Sequence, residues 1–316
     1  MRLQHSFEYA GLLGIAALMR VLPRPVALGV GACIGRLGWW LRIRRRLVLA
    51  NLAQAFPDLA PAARHRIAAR AARNFGRTVS EFVRFSGRDR RHVLDFVTVE
   101  GLDDLEQVSS AGRGAIVVTA HLGSWALYVT ALAAHGIPSA LLVGRQHNEK
   151  VDRFILDIPG KIVRFISKGR SAPRDVLRCL RDGCAVVMVA DQDAGGQGTF
   201  APFLGREAST LSLPGAIVSR HDTPLLVMAG HRTASGRHHV VLQRLSGADT
   251  DDARAVTVAF NRALGRAILA HPDQYFWYHR RWRDYAASRL PVHQSTASPR
   301  NPSSASTQPS DNDSGR

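Results

Sequence analysis

From Gly101 to Leu269 the chain alternates short apolar runs with helical patterns. AIVVT (115–119), SALLV (139–143), IVRFI (162–166), AVVMVA (185–190), PLLVMAG (224–230) and HHVVLQ (238–243) have the length and β-branched content of strands. Helical patterns fall between them, at 125–135, 173–181, 212–220 and 253–269. Most of these strand candidates are continuously apolar rather than alternating, as expected where both faces of a sheet are covered. The pattern therefore predicts an α/β fold: a mixed, largely parallel central sheet flanked by helices. Ligands in such sheets gather beyond the carboxyl ends of the strands. Two polar groups fall there, His121 after AIVVT and Asp191-Gln192-Asp193 after AVVMVA.

The first hundred residues have a helical texture. YAGLLGIAALM (9–19) is apolar but stops at Arg20, and VLPRP then interrupts the helix. VALGVGACIGRLGWWLRIRRR follows, apolar to Leu41 except for Arg36. Neither run reaches the roughly 18 uncharged residues of a spanning helix. The expectation is two amphipathic helices, with Trp39 and Trp40 at headgroup depth and Arg42, Arg44, Arg45 and Arg46 meeting lipid phosphates. A single tilted span is the competing arrangement. Gly29, Gly31, Gly35 and Gly38 follow no strand, so they point to close helix packing rather than a dinucleotide loop. Residues 45–85 read as two helices divided at Phe56-Pro57-Asp58, with apolar spacing through Ile67, Ala71, Phe75, Val79, Phe82 and Phe85. Three regions result: 1–100 helical and membrane-associating, 101–285 α/β, and 286–316 a Ser/Pro/Asn/Thr tail with little to bury.

Charge sharpens this picture. The net charge is +17, and before Phe56 eight arginines face one acid, Glu8. That balance suits an anionic membrane or nucleic acid, and the Trp-rich apolar N-terminus speaks against nucleic acid. Cys33, Cys179 and Cys184 have no paired spacing, so neither a zinc site nor a disulfide framework is indicated. No other ligand set has metal spacing, and no cofactor is expected.

Four groups of residues can carry chemistry. At a strand exit, His121 can serve as a general base if a second group fixes its tautomer; the plainer role is a histidine bonded to backbone. Gly123 and Ser124 open the next helix, where Ser124 can cap. Asp191 or Asp193 can orient His121 from a neighbouring strand end, or can merely end the strand. Gln192 sits between them, and the Gly195–Gly198 loop, like Gly123, offers backbone N–H groups to an oxyanion or anionic headgroup. A cationic set, Arg145, Asn148, Lys161, Arg164, Lys168 and Arg170, can converge on phosphate or lie solvated on the surface. Finally, HPDQYFWYHRRWR (271–283) reads as one short helix of aromatic anchors and cations.

Taken together, HLGSWAL, DQD…GTFAPFLGREAS and PDQYFWYHRRWR, preceded by NLAQAFPDL, resemble the bacterial lipid A lauroyl/myristoyl acyltransferases of the glycerolipid acyltransferase superfamily, in order from about Leu3 to Arg283. The resemblance implies a membrane-associated enzyme on the cytoplasmic face of the bacterial inner membrane. It would move a fatty acyl group from acyl carrier protein, or from acyl-CoA, to a hydroxyl of a lipid acceptor, most readily a lipid A precursor or related glycolipid. The family's His-x4-acid motif places its histidine at His121 and its acid at Ala126, where this chain has no carboxylate. Arg145 stands where the family has an arginine, and Asp191-Gln192-Asp193 match its aspartate-glutamine block. Two expectations follow from Ala126. Either Asp191 replaces the missing acid laterally, or the chain is a catalytically impaired relative that binds lipid or carrier.

Overall fold

The computed structural model describes residues 2–85, 91–144, 148–157, 162–245, 251–283 and 285. Arg145, Lys161 and the tail from 286 lie outside the described residues.

Five helices come first: α1 (Arg2–Val21), α2 (Arg24–Trp40), α3 (Arg45–Ala55), α4 (Pro61–Phe85) and the short α5 (Arg91–Leu94). Pro23 and Pro25 separate α1 from α2, because proline is tolerated only in a helix's first turn. Helices α2 and α4 meet at their backbones. A Cβ on Gly31 or Gly76 would overlap the other glycine's carbonyl, and one on Gly35 would overlap the carbonyl of Ala72. The glycine spacing of α2 therefore serves helix packing, and the buried face of α4 is made of small residues, Ala68, Ala71, Ala72, Gly76 and Ser80. The larger Phe75 and Val79, expected in the core, are each about two-fifths exposed and line cavities instead. Among the described residues no single helix is long and apolar enough to cross a membrane; α2 and α3 reach that composition only together, across a 93° bend.

The sheet begins at β1 (Val97–Glu100), a four-residue strand too short and polar to stand out in the sequence. There follow α6 (Leu102–Ser110), β2 (Ala115–Thr119), α7 (Trp125–Ala134), β3 (Ser139–Val143), α8 (Glu149–Asp157), β4 (Val163–Ser167), α9 (Ala172–Arg181) and β5 (Ala185–Val189). A hairpin of β6 (Thr199–Phe203) and β7 (Arg206–Thr210) interrupts, and α10 (Leu213–His221), β8 (Leu225–Arg232), β9 (His238–Arg244) and α11 (Ala253–Ala270) complete the fold. The seven-stranded sheet runs β1-β9-β8-β2-β5-β3-β4, parallel except for the β8–β9 pair. This is the α/β, mixed and largely parallel architecture expected. Every residue of β2 is buried, and one apolar core lies on each face of the sheet. Residues 1–283 form one compact unit.

Residues 271–283 do not form the single helix expected of them. A 3-10 turn at Pro272–Gln274 gives way to extended backbone at Tyr275, bridged antiparallel to Leu122. The reason lies in the hydrogen bonds. The Phe276 N–H donates to the His121 carbonyl, and the Asn51 side-chain amide donates to the carbonyls of Trp277 and His279, so these groups are not free for a helical ladder.

Candidate active site

The central strands β2 and β5 pair in parallel with Thr119 opposite Val189. Two residues beyond that pair, on each strand, stand His121 and Asp191. Register alone thus brings them together. The His121 ring Nδ1 lies 2.8 Å from Asp191 Oδ1, and the His121 backbone N–H donates to Asp191 Oδ2 at 3.1 Å. The carboxylate is 1 % exposed. Burial opposes its ionisation, but the His121 ring, the two hydrogen bonds from His121 and nearby Arg281 outweigh that, holding the carboxyl below its usual range. An ionised Asp191 accepts the Nδ1–H and so leaves the lone pair on Nε2, which faces the Gln192 side-chain amide at 3.3 Å.

Around this pair the chain is held tightly. Gly123 has φ +59°, and a Cβ there would collide with the Tyr128 hydroxyl and lie 2.8 Å from the Gly230 carbonyl, so only glycine fits. Its N–H donates to the Gln274 carbonyl, and the Ser124 N–H to the Tyr128 hydroxyl at 2.9 Å. Those two amides are spent and cannot serve as the oxyanion donors anticipated at Gly123. The Gly198 N–H is likewise turned inward, to the Gly195 carbonyl. On the far side, buried Arg281 donates to the carbonyls of Gln192 and Ser209 and to the Thr210 hydroxyl, tying the Asp191–Asp193 turn to β7. Asp193 is paired with Arg283 at 3.2 Å, and its N–H meets His279 Nε2 at 3.0 Å. It points away from His121, so Asp191 alone supplies the carboxylate.

Beside His121 opens a cavity of about 280 Å³, mainly apolar, walled by Phe75, Val79, Phe82, Trp125 and Phe276, with Ala126 and Gln192 at its lining. Trp125 packs edge-on to the His121 ring at 5.2 Å, and Phe276 lies at 5.9 Å. Both Trp125 and Ala126 sit in the first turn of α7, where backbone N–H groups have no partner within the helix.

A second polar centre lies under the first. Glu81 of α4 is fully buried and accepts from Arg24 (2.6 Å), Arg232 (2.5 Å), Ser124 (2.6 Å) and His238 (3.1 Å). His238 in turn meets the Tyr128 hydroxyl at 3.1 Å. Burial alone would raise the Glu81 carboxyl, but the hydrogen bond and charge of His238 and the Arg232 guanidinium hold it far below the ordinary range. The hub joins α2, α4, β8, β9 and the His121–Ser124 loop. Its one trace in the sequence is that Glu81 is the only acid in a 25-residue helix otherwise studded with arginine.

The remaining candidates are dispersed. Ser124 stands at the N-cap of α7 but does not cap it as expected: its hydroxyl makes no bond to the helix and donates instead to buried Glu81. Arg164 pairs with Asp182 at 2.9 Å on the exposed edge strand β4 and is not brought to His121. Asn148 is buried and caps α8 through the Lys150 N–H. No group of three or more His, Cys, Asp or Glu among the described residues can hold a metal ion. Cys33, Cys179 and Cys184 are free thiols.

Comparison with known proteins places the chain in a family. Residues 2–284 match the model of a family described as bacterial lipid A biosynthesis acyltransferase. The chain is 28% identical over 278 residues to the lipid A biosynthesis palmitoleoyltransferase of Escherichia coli K12, covering 86% of this chain and 89% of that protein. It is 23% identical over 290 residues to the lipid A biosynthesis lauroyltransferase of the same organism, covering 89% and 94%. A lipid A biosynthesis acyltransferase of Shigella flexneri is 28% identical over the same span as the first. With a carboxylate-bonded histidine lining an apolar cavity and a match over nearly its whole length, this chain is an acyltransferase and belongs to the bacterial lipid A biosynthesis acyltransferase family.

Proposed function

We propose that the enzyme transfers a fatty acyl group from an acyl carrier protein thioester, or from acyl-CoA, to a hydroxyl of a lipid A precursor or related glycolipid at the cytoplasmic face of the bacterial inner membrane. The observation that carries the chemistry is the hydrogen bond to Asp191 from a His121 that lines an apolar cavity. His121 Nε2 removes the proton of the acceptor hydroxyl as its oxygen attacks the thioester carbonyl. The new C–O ester bond forms, the C–S bond breaks, and the imidazolium returns the proton to the departing thiolate. Asp191 fixes the tautomer and stabilises the imidazolium; in a serine protease triad that role is worth about four powers of ten. The carbonyl oxygen gains charge at attack. The α7 first-turn amides of Trp125 and Ala126, with the Gln192 side-chain amide, are the donors placed to meet it.

Ala126 suggests a non-catalytic relative, but a buried carboxylate bonded to the His121 ring favours the catalytic reading. Exposed Trp40, Leu41 and Ile43 beside arginines 42 and 44–46 support attachment to an anionic bilayer surface through α2 and its turn into α3. Trp39 is engaged differently, half-buried between His65 and the Arg45 guanidinium, 4.8 Å from its ring. To test the reaction, the purified protein is given a lauroyl- or palmitoleoyl-carrier thioester and a lipid A precursor with a free hydroxyl, and products are read by mass spectrometry. A mass gain of one acyl group that His121→Ala abolishes is expected. No transfer to any glycolipid hydroxyl would overturn the reading.

A further inference from the structure

A basic basin opens between the start of α3, the β6–β7 hairpin and residues 279–283. Its volume is about 950 Å³, and Arg44, Arg46, Arg206, Arg280 and Arg283 line it with no aspartate or glutamate among the lining residues. Arg283 reaches out to Asp193, and Arg44 donates to the Tyr278 carbonyl, but both stay exposed. Arg46, Arg206 and Arg280 are exposed too, and they have no carboxylate partner among the described residues. Five guanidiniums gathered around one basin, with only Arg283 paired to a carboxylate, repel one another, an arrangement that an incoming multivalent anion relieves.

What lies next to the basin narrows the anion. An apolar trough of about 430 Å³ runs between α1, α2 and α4. It shares Phe75, Val79 and Phe276 with the cavity at His121, and it shares Arg44 with the basin. The three spaces therefore adjoin in the order reaction centre, apolar trough, cationic basin. Phe276 and Arg280 are four residues apart, so their Cα atoms are separated by at most about 14 Å. Ile43, which lines the trough, and its neighbours Trp40 and Leu41 are exposed just before Arg44 in the chain. An apolar trough adjoining a cationic basin matches the two halves of an anionic amphiphile.

We propose that the basin holds a phosphomonoester on the headgroup of the lipid acceptor while an acyl chain of the same molecule lies in the trough. This deepens the acyl-transfer reading and rests on it for the identity of the acceptor. The phosphate would be held mainly by Arg46, Arg206 and Arg280, the three with no carboxylate partner among the described residues. Charge-assisted, bidentate guanidinium–phosphate contacts are the strongest available to a surface site.

The test is co-sedimentation of the full-length protein with phosphatidylcholine vesicles carrying the bis-phosphorylated lipid A precursor, the same precursor after phosphatase treatment, or phosphatidylglycerol at matched charge. Expected is half-saturation at ten-fold or more lower lipid with the phosphorylated precursor than with either other vesicle. The Arg46→Gln/Arg206→Gln/Arg280→Gln variant, with an unchanged melting curve, should lose that preference and show a raised KM for the phosphorylated acceptor. Three results would overturn the proposal. These are equal binding to the phosphorylated and phosphatase-treated vesicles, equal preference for phosphatidylglycerol, and a variant that keeps its acceptor KM but raises the KM for the carrier thioester. Phosphate-dependent binding without any acyl transfer would instead remove the catalytic reading and leave the basin standing.

Discussion

Glu81→Gln removes one negative charge from a site with no access to water. In the native protein that charge neutralises Arg232, whose side chain is 6 % exposed and whose Nε and Nη1 are buried without hydrogen-bond partners. It also accepts from Arg24, Ser124 and His238. A glutamine keeps the shape, but it has one acceptor oxygen where the carboxylate had two. Breaking a buried ion pair by removing one partner costs about 3–5 kcal/mol, mostly from the charge left behind. For a domain of this size each kcal/mol moves Tm by roughly 2–4 °C, so a fall of about 6–20 °C is expected. Differential scanning fluorimetry and urea unfolding in detergent measure it. The cause is then checked by a second change. Glu81→Gln/Arg232→Met should recover at least about 1 kcal/mol over Glu81→Gln alone, since the orphaned charge is gone. A Tm within about 2 °C of wild type for Glu81→Gln would refute the reasoning, as would a double variant worse by the sum of both changes.

Gly76→Ala drives a methyl into the Gly31 carbonyl and should separate α2 from α4, lowering expression and Tm by several degrees, while Gly29→Ala, with open space around it, should not. Gly123→Ala should leave the helical content seen by circular dichroism largely in place but abolish acyl transfer, because the turn carrying His121 cannot close on the Tyr128 hydroxyl. Stability should fall as pH drops from about 6.5 towards 4. Burial and the stacked His271 ring, 3.7 Å away, depress His231 to about 4, and His238, His271 and His279 shift in the same direction. The unfolded chain takes up protons at these sites below its own pKa of about 6.5 while the fold refuses them. His231→Gln should therefore flatten that part of the Tm–pH profile by up to about one proton, and an unchanged slope would contradict the assignment.

How much of this was readable beforehand follows from the range of the interactions. The central strands β2 and β5 are visible because a parallel strand buried on both faces must be a continuous apolar run, while β4 and β9 show through β-branched and apolar residues that alternate in burial. The pairing of His121 with Asp191 follows once those strands are neighbours, since equal distances past the paired residues bring equal positions side by side. Strands β1, β6 and β7 escape notice. VTVE and REAST are short and polar, and Pro202 in TFAPF argues against a strand except at an edge, which is where the two-stranded hairpin places it. Residues 271–283 look helical by composition, but their hydrogen bonds go to His121 and Asn51, partners up to 228 positions distant. Glu81 fails for the same reason: its partners lie on four other segments, and no local pattern announces them.

Whether Asp191 stands in for the acid absent at Ala126 is tested most directly by single-turnover acyl transfer with His121→Ala, Asp191→Asn and the double variant. The predicted result is a loss of about three to four powers of ten for Asp191→Asn, close to that for His121→Ala, with the double variant no slower than the worse single one. An Asp191→Asn enzyme turning over within about five-fold of wild type, while His121→Ala is dead, would contradict it.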